Sequence, residues 1–251
     1  MTKLYITVIS IVTVVAIMFG CFIHIFRRGN FSWNVNNLEA VSDTVELSGD
    51  LDTIEVNMSY AGITIEYGDD FHIEYDLPKG YVPEIDLNNG TLSIENKNTL
   101  TIGNHGWNDF SMVIVIPEGT ELEKLDVKLN AGNLEIEDIP VNNFKVNCDA
   151  GNIEVEKIDC ARMNVEVDAG NIEIRDCTIT EFMVSADAGN IEMHNSSIDT
   201  IKADADAGNI ESHNCTINSG SVETDLGNIN LRGDIGDVTT KTSLGIVNTD
   251  N

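Results

Sequence analysis

The stretch Asp168-Ala169-Gly170-Asn171-Ile172-Glu173 returns unchanged as Asp187-Ala188-Gly189-Asn190-Ile191-Glu192 and again as Asp206-Ala207-Gly208-Asn209-Ile210-Glu211. The interval is 19 residues each time, and it carries Gly-Asn-Ile or a near variant back to Gly151 and Gly132 and forward to Gly227. A degenerate copy begins at Gly245, after 18 residues. Self-similarity at a fixed period marks a chain built of stacked units.

Aligning the copies on the glycine gives columns. Two residues on stand Leu134, Ile153, Ile172, Ile191, Ile210 and Ile229; four on stand Ile136, Val155, Ile174, Met193, Ser212 and Leu231. Between them runs Glu135, Glu154, Glu173, Glu192, Glu211, then Asn230. Apolar and charged positions alternate with the period of a strand that buries one face. Further apolar columns lie nine residues on (Val141, Cys160, Ile179, Ile198, Ile217) and fourteen on (Val146, Val165, Val184, Ala203, Val222). Ala131, Ala150, Ala169, Ala188 and Ala207 precede the glycines, giving way to Leu226 and Leu244. A 19-residue unit of two or three short strands cannot bury its own apolar face, but a stack of such units can. Each coil then pairs in parallel with the next, ~4.8 Å away, and like residues lie over like. The spacing therefore predicts an all-β, parallel β-solenoid of 19-residue coils.

The coil must turn at Gly132, Gly151, Gly170, Gly189, Gly208 and Gly227, and glycine tolerates positive φ without steric cost; that conformation is expected at Gly170, Gly189 and Gly208. Asn133, Asn152, Asn171, Asn190, Asn209 and Asn228 follow and are expected to stack as an amide ladder. Both columns read as a structural corner rather than a ligand site. Upstream, 54–56, 63–67, 71–75 and 112–116 are strand candidates, and Ser59-Tyr60-Ala61-Gly62-Ile63 echoes the repeat. The expected organisation is an anchor over 1–28, a linker over 29–44, irregular coils and a cap over 45–117, and regular coils over 118–251.

Leu4 to Phe26 is a run of 23 residues without formal charge, ended by Arg27 and Arg28. About 20 helical residues cross a bilayer core, so the run reads as one N-terminal transmembrane helix. A cleaved signal peptide is the rival; its apolar region is usually ~7–15 residues, and here Phe22 to Phe26 continues past the Gly20-Cys21 pair. Lys3 on one side and two arginines on the other leave the orientation nearly balanced.

Acidic residues outnumber basic ones 42 to 14, for a net charge of −28. That disfavours nucleic acid and anionic lipid as partners of the body and attracts cations. With 42% apolar residues the chain is too hydrophobic to be a disordered acidic tail.

The Ala-Gly-Asn-Ile-Glu copies, Ile116-Pro117-Glu118-Gly119 and the single apolar run resemble the bacterial β-strand-repeat family labelled "putative adhesin", a domain of unknown function, over residues 45 to 251. The resemblance implies a cell-envelope protein with its body outside the membrane and no assigned catalytic residues.

Three sets of residues invite chemistry. Asp149, Asp168, Asp187, Asp206 and Asp225 form a column of carboxylates about 5 Å apart, which repel unless solvated or bridged by a cation such as Ca²⁺. No Ca²⁺-binding nonapeptide or EF-hand loop accompanies them, so a solvated face is expected. His194 and His213 share an outward column between Arg175 and Arg232. No third ligand of fixed type joins them in the pattern, so they read as a surface pair. Cys148, Cys160, Cys177 and Cys215 fall in inward columns as small hydrophobes. No nucleophile motif, phosphate loop, coenzyme fingerprint or zinc spacing is present. The expected function is non-catalytic: a single-pass cell-membrane protein, without cofactor, presenting a rigid acidic solenoid to a protein or cell-wall partner. The alternative is a cation-responsive, Ca²⁺-binding solenoid module.

Overall fold

The structure, a computed structural model, describes residues 40–96 and 110–250. Among these residues no helix is long and apolar enough to cross a membrane; the run Leu4 to Phe26 lies outside them. The first strands are β1 (Ala40–Glu46), β2 (Thr53–Met58), β3 (Gly62–Gly68), β4 (His72–Pro78), β5 (Glu84–Asn88), β6 (Thr91–Glu95) and β7 (Ser111–Pro117). β5 and β6 form a hairpin whose turn residues Asn89 and Gly90 have φ of 50° and 78°, the sign a tight hairpin requires at both positions. β4 runs antiparallel between β1 and β7. β8 (Leu122–Ala131) and β9 (Leu134–Glu137) open the regular coils. β2 lies in parallel between β6 and β8, and β3 between β7 and β9. Coil order therefore departs from chain order: the chain lays down β2 and β3, builds β6 and β7 on one side of them, then returns to stack β8 and β9 on the other.

From there the order is sequential: β10 (Val141–Ala150), β11 (Ile153–Glu156), β12 (Asp159–Ala169), β13 (Ile172–Arg175), β14 (Thr178–Ala188), β15 (Ile191–His194), β16 (Ser197–Ala207), β17 (Ile210–Leu226), β18 (Ile229–Leu244) and β19 (Val247–Asp250). All pair in parallel: the long β10, β12, β14 and β16 stack on one another, the short β11, β13 and β15 likewise, and β17 and β18 run on to continue both ladders. Val146 faces Val165, Val184, Ala203 and Val222 in succession, and Ile153 faces Ile172, Ile191, Ile210 and Ile229. The parallel β-solenoid with a 19-residue register is thus the observed architecture. The register slips once, between Ser212 and Cys215, after which Cys215 faces Gly233 and Leu226 faces Leu244. One residue stands between Leu231 and Gly233 where two stand between Ser212 and Cys215, which accounts for the 18-residue interval to Gly245.

Columns two, four, nine and fourteen residues past the glycine point inward and are buried. One more inward column escaped the sequence reading: Phe144, Met163, Phe182 and Ile201 stack twelve residues on. The inward column of Cys148 continues through Val167, Ala186 and Ala205, sixteen on; all are buried. Each large apolar side chain so buried contributes roughly 1.5–3 kcal/mol.

Candidate functional site

The glycine corner is built on contact between coils. A β-carbon at Gly151, Gly170 or Gly189 would sit 1.6–1.7 Å from the carbonyl oxygen of the glycine one coil earlier. Gly208 and Gly227 meet the same obstacle at 1.7 and 1.8 Å, yet neither has positive φ. Gly170 and Gly189, at 153° and 158°, stand at the extended margin of that range. The expectation of positive φ at Gly208 is corrected, and close backbone approach replaces it as the common cause of the column. Gly132 lies over Ala61, not over the Gly62 of the upstream echo.

The asparagine column differs in detail from a plain amide ladder. Each backbone N–H donates to the side-chain Oδ1 one coil earlier: Asn152 to Asn133 at 2.9 Å, Asn171 to Asn152 and Asn190 to Asn171 at 3.0 Å, Asn209 to Asn190 at 3.0 Å, Asn228 to Asn209 at 2.9 Å. Contacts between the side-chain amides are longer, 3.3–3.4 Å, and occur at three of these steps. The side chain supplies an acceptor where the turning backbone has none. A second corner lies six residues past each glycine: Asp138, Lys157, Asp176, Asn195 and Asn214 all hold φ of 51–61°. Asp and Asn tolerate this left-handed conformation; lysine has no such local compensation.

Asp149, Asp168, Asp187, Asp206 and Asp225 are all exposed. Crowding registers beside the last two. The Asp204 carboxyl is raised above its ordinary value, first by burial and then by Asp206, Glu223 and Asp225. His194 and His213 stack with ring centroids 5.1 Å apart and planes 7° from parallel. Carboxylates absent from the sequence reading of this pair join it. His194 Nε2 lies 3.6 Å from Glu173 Oε1 and 3.7 Å from Glu192 Oε2, and His213 Nε2 lies 3.4 Å from Glu211 Oε2. Among the described residues, Glu173, Glu192 and His194 are the one group of three with ligand atoms all within 4.8 Å of one another.

The sparse cations are also gathered. Lys124, Lys145, Arg162 and Lys202 line a groove of ≈ 760 Å³ on the face of the long strands, against only Glu123 and Glu181, with Met183 half-exposed beside them. Lys124 is held by Glu55 at 2.7 Å and Asp126 at 3.2 Å. The Arg162 Nε–H donates to Asn143 Oδ1 at 2.8 Å. Parallel stacking places these residues on one face although they are 78 positions apart in the chain.

Cys148, Cys160, Cys177 and Cys215 are free and buried. Burial pushes the thiols of Cys148, Cys160 and Cys177 up to about 11 and that of Cys215 upward as well. They are shielded and protonated at neutral pH, the opposite of an activated nucleophile.

No curated protein matches the chain. Among solved structures, a "putative adhesin" from Bacteroides fragilis is similar with a TM-score of 0.57 at 15% identity, covering 85% of this chain and 97% of that one. A "putative lipid binding protein" from Parabacteroides distasonis is similar with a TM-score of 0.53 at 19% identity, covering 84% and 97%. At these identities the likeness is one of fold. Residues 51–244 match the bacterial domain family described as Toastrack DUF4097, and the chain belongs to that family.

Proposed function

We propose that this chain is a single-pass, membrane-anchored cell-envelope protein whose solenoid stands outside the membrane and serves as a rigid surface for interaction or adhesion. Residues 1–28 are the anchor, 29–44 the linker, 45–117 the irregular coils and cap, and 118–251 the regular coils. The observation that carries this reading is the division of labour among the columns. The inward ones hold the ladder together, and the outward ones present charge at a fixed ~4.8 Å repeat on a frame with little freedom to deform. An acidic body with one cation-lined groove offers surfaces of two polarities. Protease treatment of intact cells tests the topology. The solenoid should be cut without permeabilisation; protection until the membrane is opened would place it on the cytoplasmic side and remove envelope partners.

A second reading, the calcium-responsive module, is favoured by the crowding of acids on this face, where Asp206, Glu223 and Asp225 add to burial in raising the Asp204 carboxyl. A cation bridging Asp206 and Asp225 would relieve the same repulsion. A calcium-specific rise in melting temperature tests it.

A further inference from the structure

Five residues past the repeat glycine, the outward column changes identity from coil to coil: Glu137, Glu156, Arg175, His194, His213, Arg232. The neighbouring outward column stays acidic from Glu135 to Glu211. Both rise from the short strands, whose intervening residues point into the core, so the ligand-bearing side chains stand on a hydrogen-bonded floor. The parallel register sets His194 directly between Arg175 and His213, and Glu192 between Glu173 and Glu211. Glu173, Glu192 and His194 are each partly buried.

We infer that Glu173, Glu192 and His194 form a binding site for a divalent transition metal of zinc's class, with His213 and Glu211 on its open side. A cation ~2.0–2.2 Å from nitrogen and carboxylate ligands holds those ligands roughly 3–4 Å apart. The two separations from His194 Nε2, 3.6 and 3.7 Å, already fall in that range. An imidazole joined to carboxylates suits Zn²⁺ and its neighbours, whereas Ca²⁺ takes six to eight oxygens. His213, Glu211 or water completes the shell. The net charge of −28 raises the local concentration of any cation.

Arg175 competes with the metal. Its Nη2 contacts Glu173 Oε1 at 2.5 Å while its Nη1 contacts Glu154. A metal ion bound to Glu173 substitutes for this positive charge and leaves Arg175 to Glu154. Removing the guanidinium therefore strengthens the site, an effect opposite to that of losing a structural ion pair. The site is separate from the aspartate column, so its failure leaves the calcium reading untouched.

The test uses the full-length chain in detergent micelles, titrated with ZnCl₂ and with CaCl₂ at matched ionic strength by calorimetry and thermal melting. Saturable Zn²⁺ binding with a rise in melting temperature is expected, with no equivalent rise in CaCl₂. His194→Gln should weaken Zn²⁺ by about tenfold or more while its metal-free melting temperature stays that of the parent. Arg175→Gln should tighten Zn²⁺ several-fold. The inference is overturned by any of three results: no saturable Zn²⁺ binding below millimolar concentration, an affinity unchanged in His194→Gln, which would assign the ion to another histidine, or an Arg175→Gln variant that binds no tighter than the parent.

Discussion

Replacing Gly189 with alanine tests the central feature of the coil corner. The new β-carbon would sit 1.6 Å from the Gly170 carbonyl oxygen and 2.6 Å from its carbon, both backbone atoms. Relief requires the coils to part locally by about 1.4 Å, to the 3.0 Å below which such contacts are essentially never seen. Three hydrogen bonds cross that gap: Gly170 N–H to Ala188 O at 3.0 Å, Ile172 N–H to Asn190 O at 2.9 Å and Asn190 N–H to Asn171 Oδ1 at 3.0 Å. Stretched past ~3.5 Å they cease to be hydrogen bonds. At ~1 kcal/mol each the loss is about 3 kcal/mol. For a domain of this size that corresponds to a fall of roughly 6–12 °C in melting temperature. Gly62→Ala is the control, because its β-carbon meets nothing closer than the Phe110 carbonyl oxygen at 3.5 Å. Circular dichroism melts of both variants decide the matter. A Gly189→Ala protein that melts with the parent would refute the stacking argument, whatever the control does.

Lys157→Asn should raise the melting temperature in about 0.5 M NaCl, where the ion pairs of Lys157 with Glu137 and Glu156 are screened and its φ of 54° is better borne by asparagine; an unchanged or lower value would contradict the strain. The buried thiols keep their protons to about 11 in the folded chain and lose them near the ordinary value of 9.0 when unfolded. Between those values the unfolded state binds fewer protons, so stability should fall as pH rises from 9 toward 11, and Cys160→Val should flatten that fall; rapid labelling of all four thiols in native buffer at neutral pH would sink the assigned register. Asp204→Asn should raise the melting temperature at low salt by removing a carboxylate pressed by Asp206, Glu223 and Asp225, and the gain should shrink as NaCl is added. For the aspartate column, NaCl and CaCl₂ at matched ionic strength should stabilise alike, whereas a saturable sub-millimolar Ca²⁺ effect abolished by Asp187→Asn with Asp206→Asn would establish the calcium module.

What the sequence made legible was what every coil repeats. An inward isoleucine column can be read from one chain because each copy faces the same neighbours, and Ile153, Ile172, Ile191 and Ile210 record one environment four times. The cause of the glycine column was read incompletely, since the obstacle at Gly189 belongs to Gly170, on the coil beneath. The left-handed column was missed because Lys157 interrupts a run of Asp and Asn that is otherwise a recognisable preference. The interleaving of β2 between β6 and β8 had no sequence signal, because strand pairing sets it and no repeated motif marks it. Glu173 and His194 were not joined because they stand 21 positions apart and meet only when adjacent columns on adjacent coils are superposed.

That distinction also separates structure from function on this surface. A residue type that recurs in a column has a sufficient cause in the coil: glycine beneath a carbonyl, asparagine accepting from the next backbone N–H, isoleucine in the core. Stacking places no comparable demand on the outward columns, and a solvated position accommodates many side chains at similar stability. The sequence Glu156, Arg175, His194, His213, Arg232 therefore is not accounted for by folding, and neither is the convergence of Lys145, Arg162 and Lys202 on one groove in a chain with three acids for every base. On a scaffold this regular, departures from the repeat are where recognition is written. A scan that exchanges each outward residue for its counterpart one coil away would leave the fold intact and change binding only at those departures. Arg175→Glu and Lys202→Met copy residues the scaffold already accepts at Glu156 and Met183. If such exchanges unfold the protein, the outward columns carry structural load and this division fails.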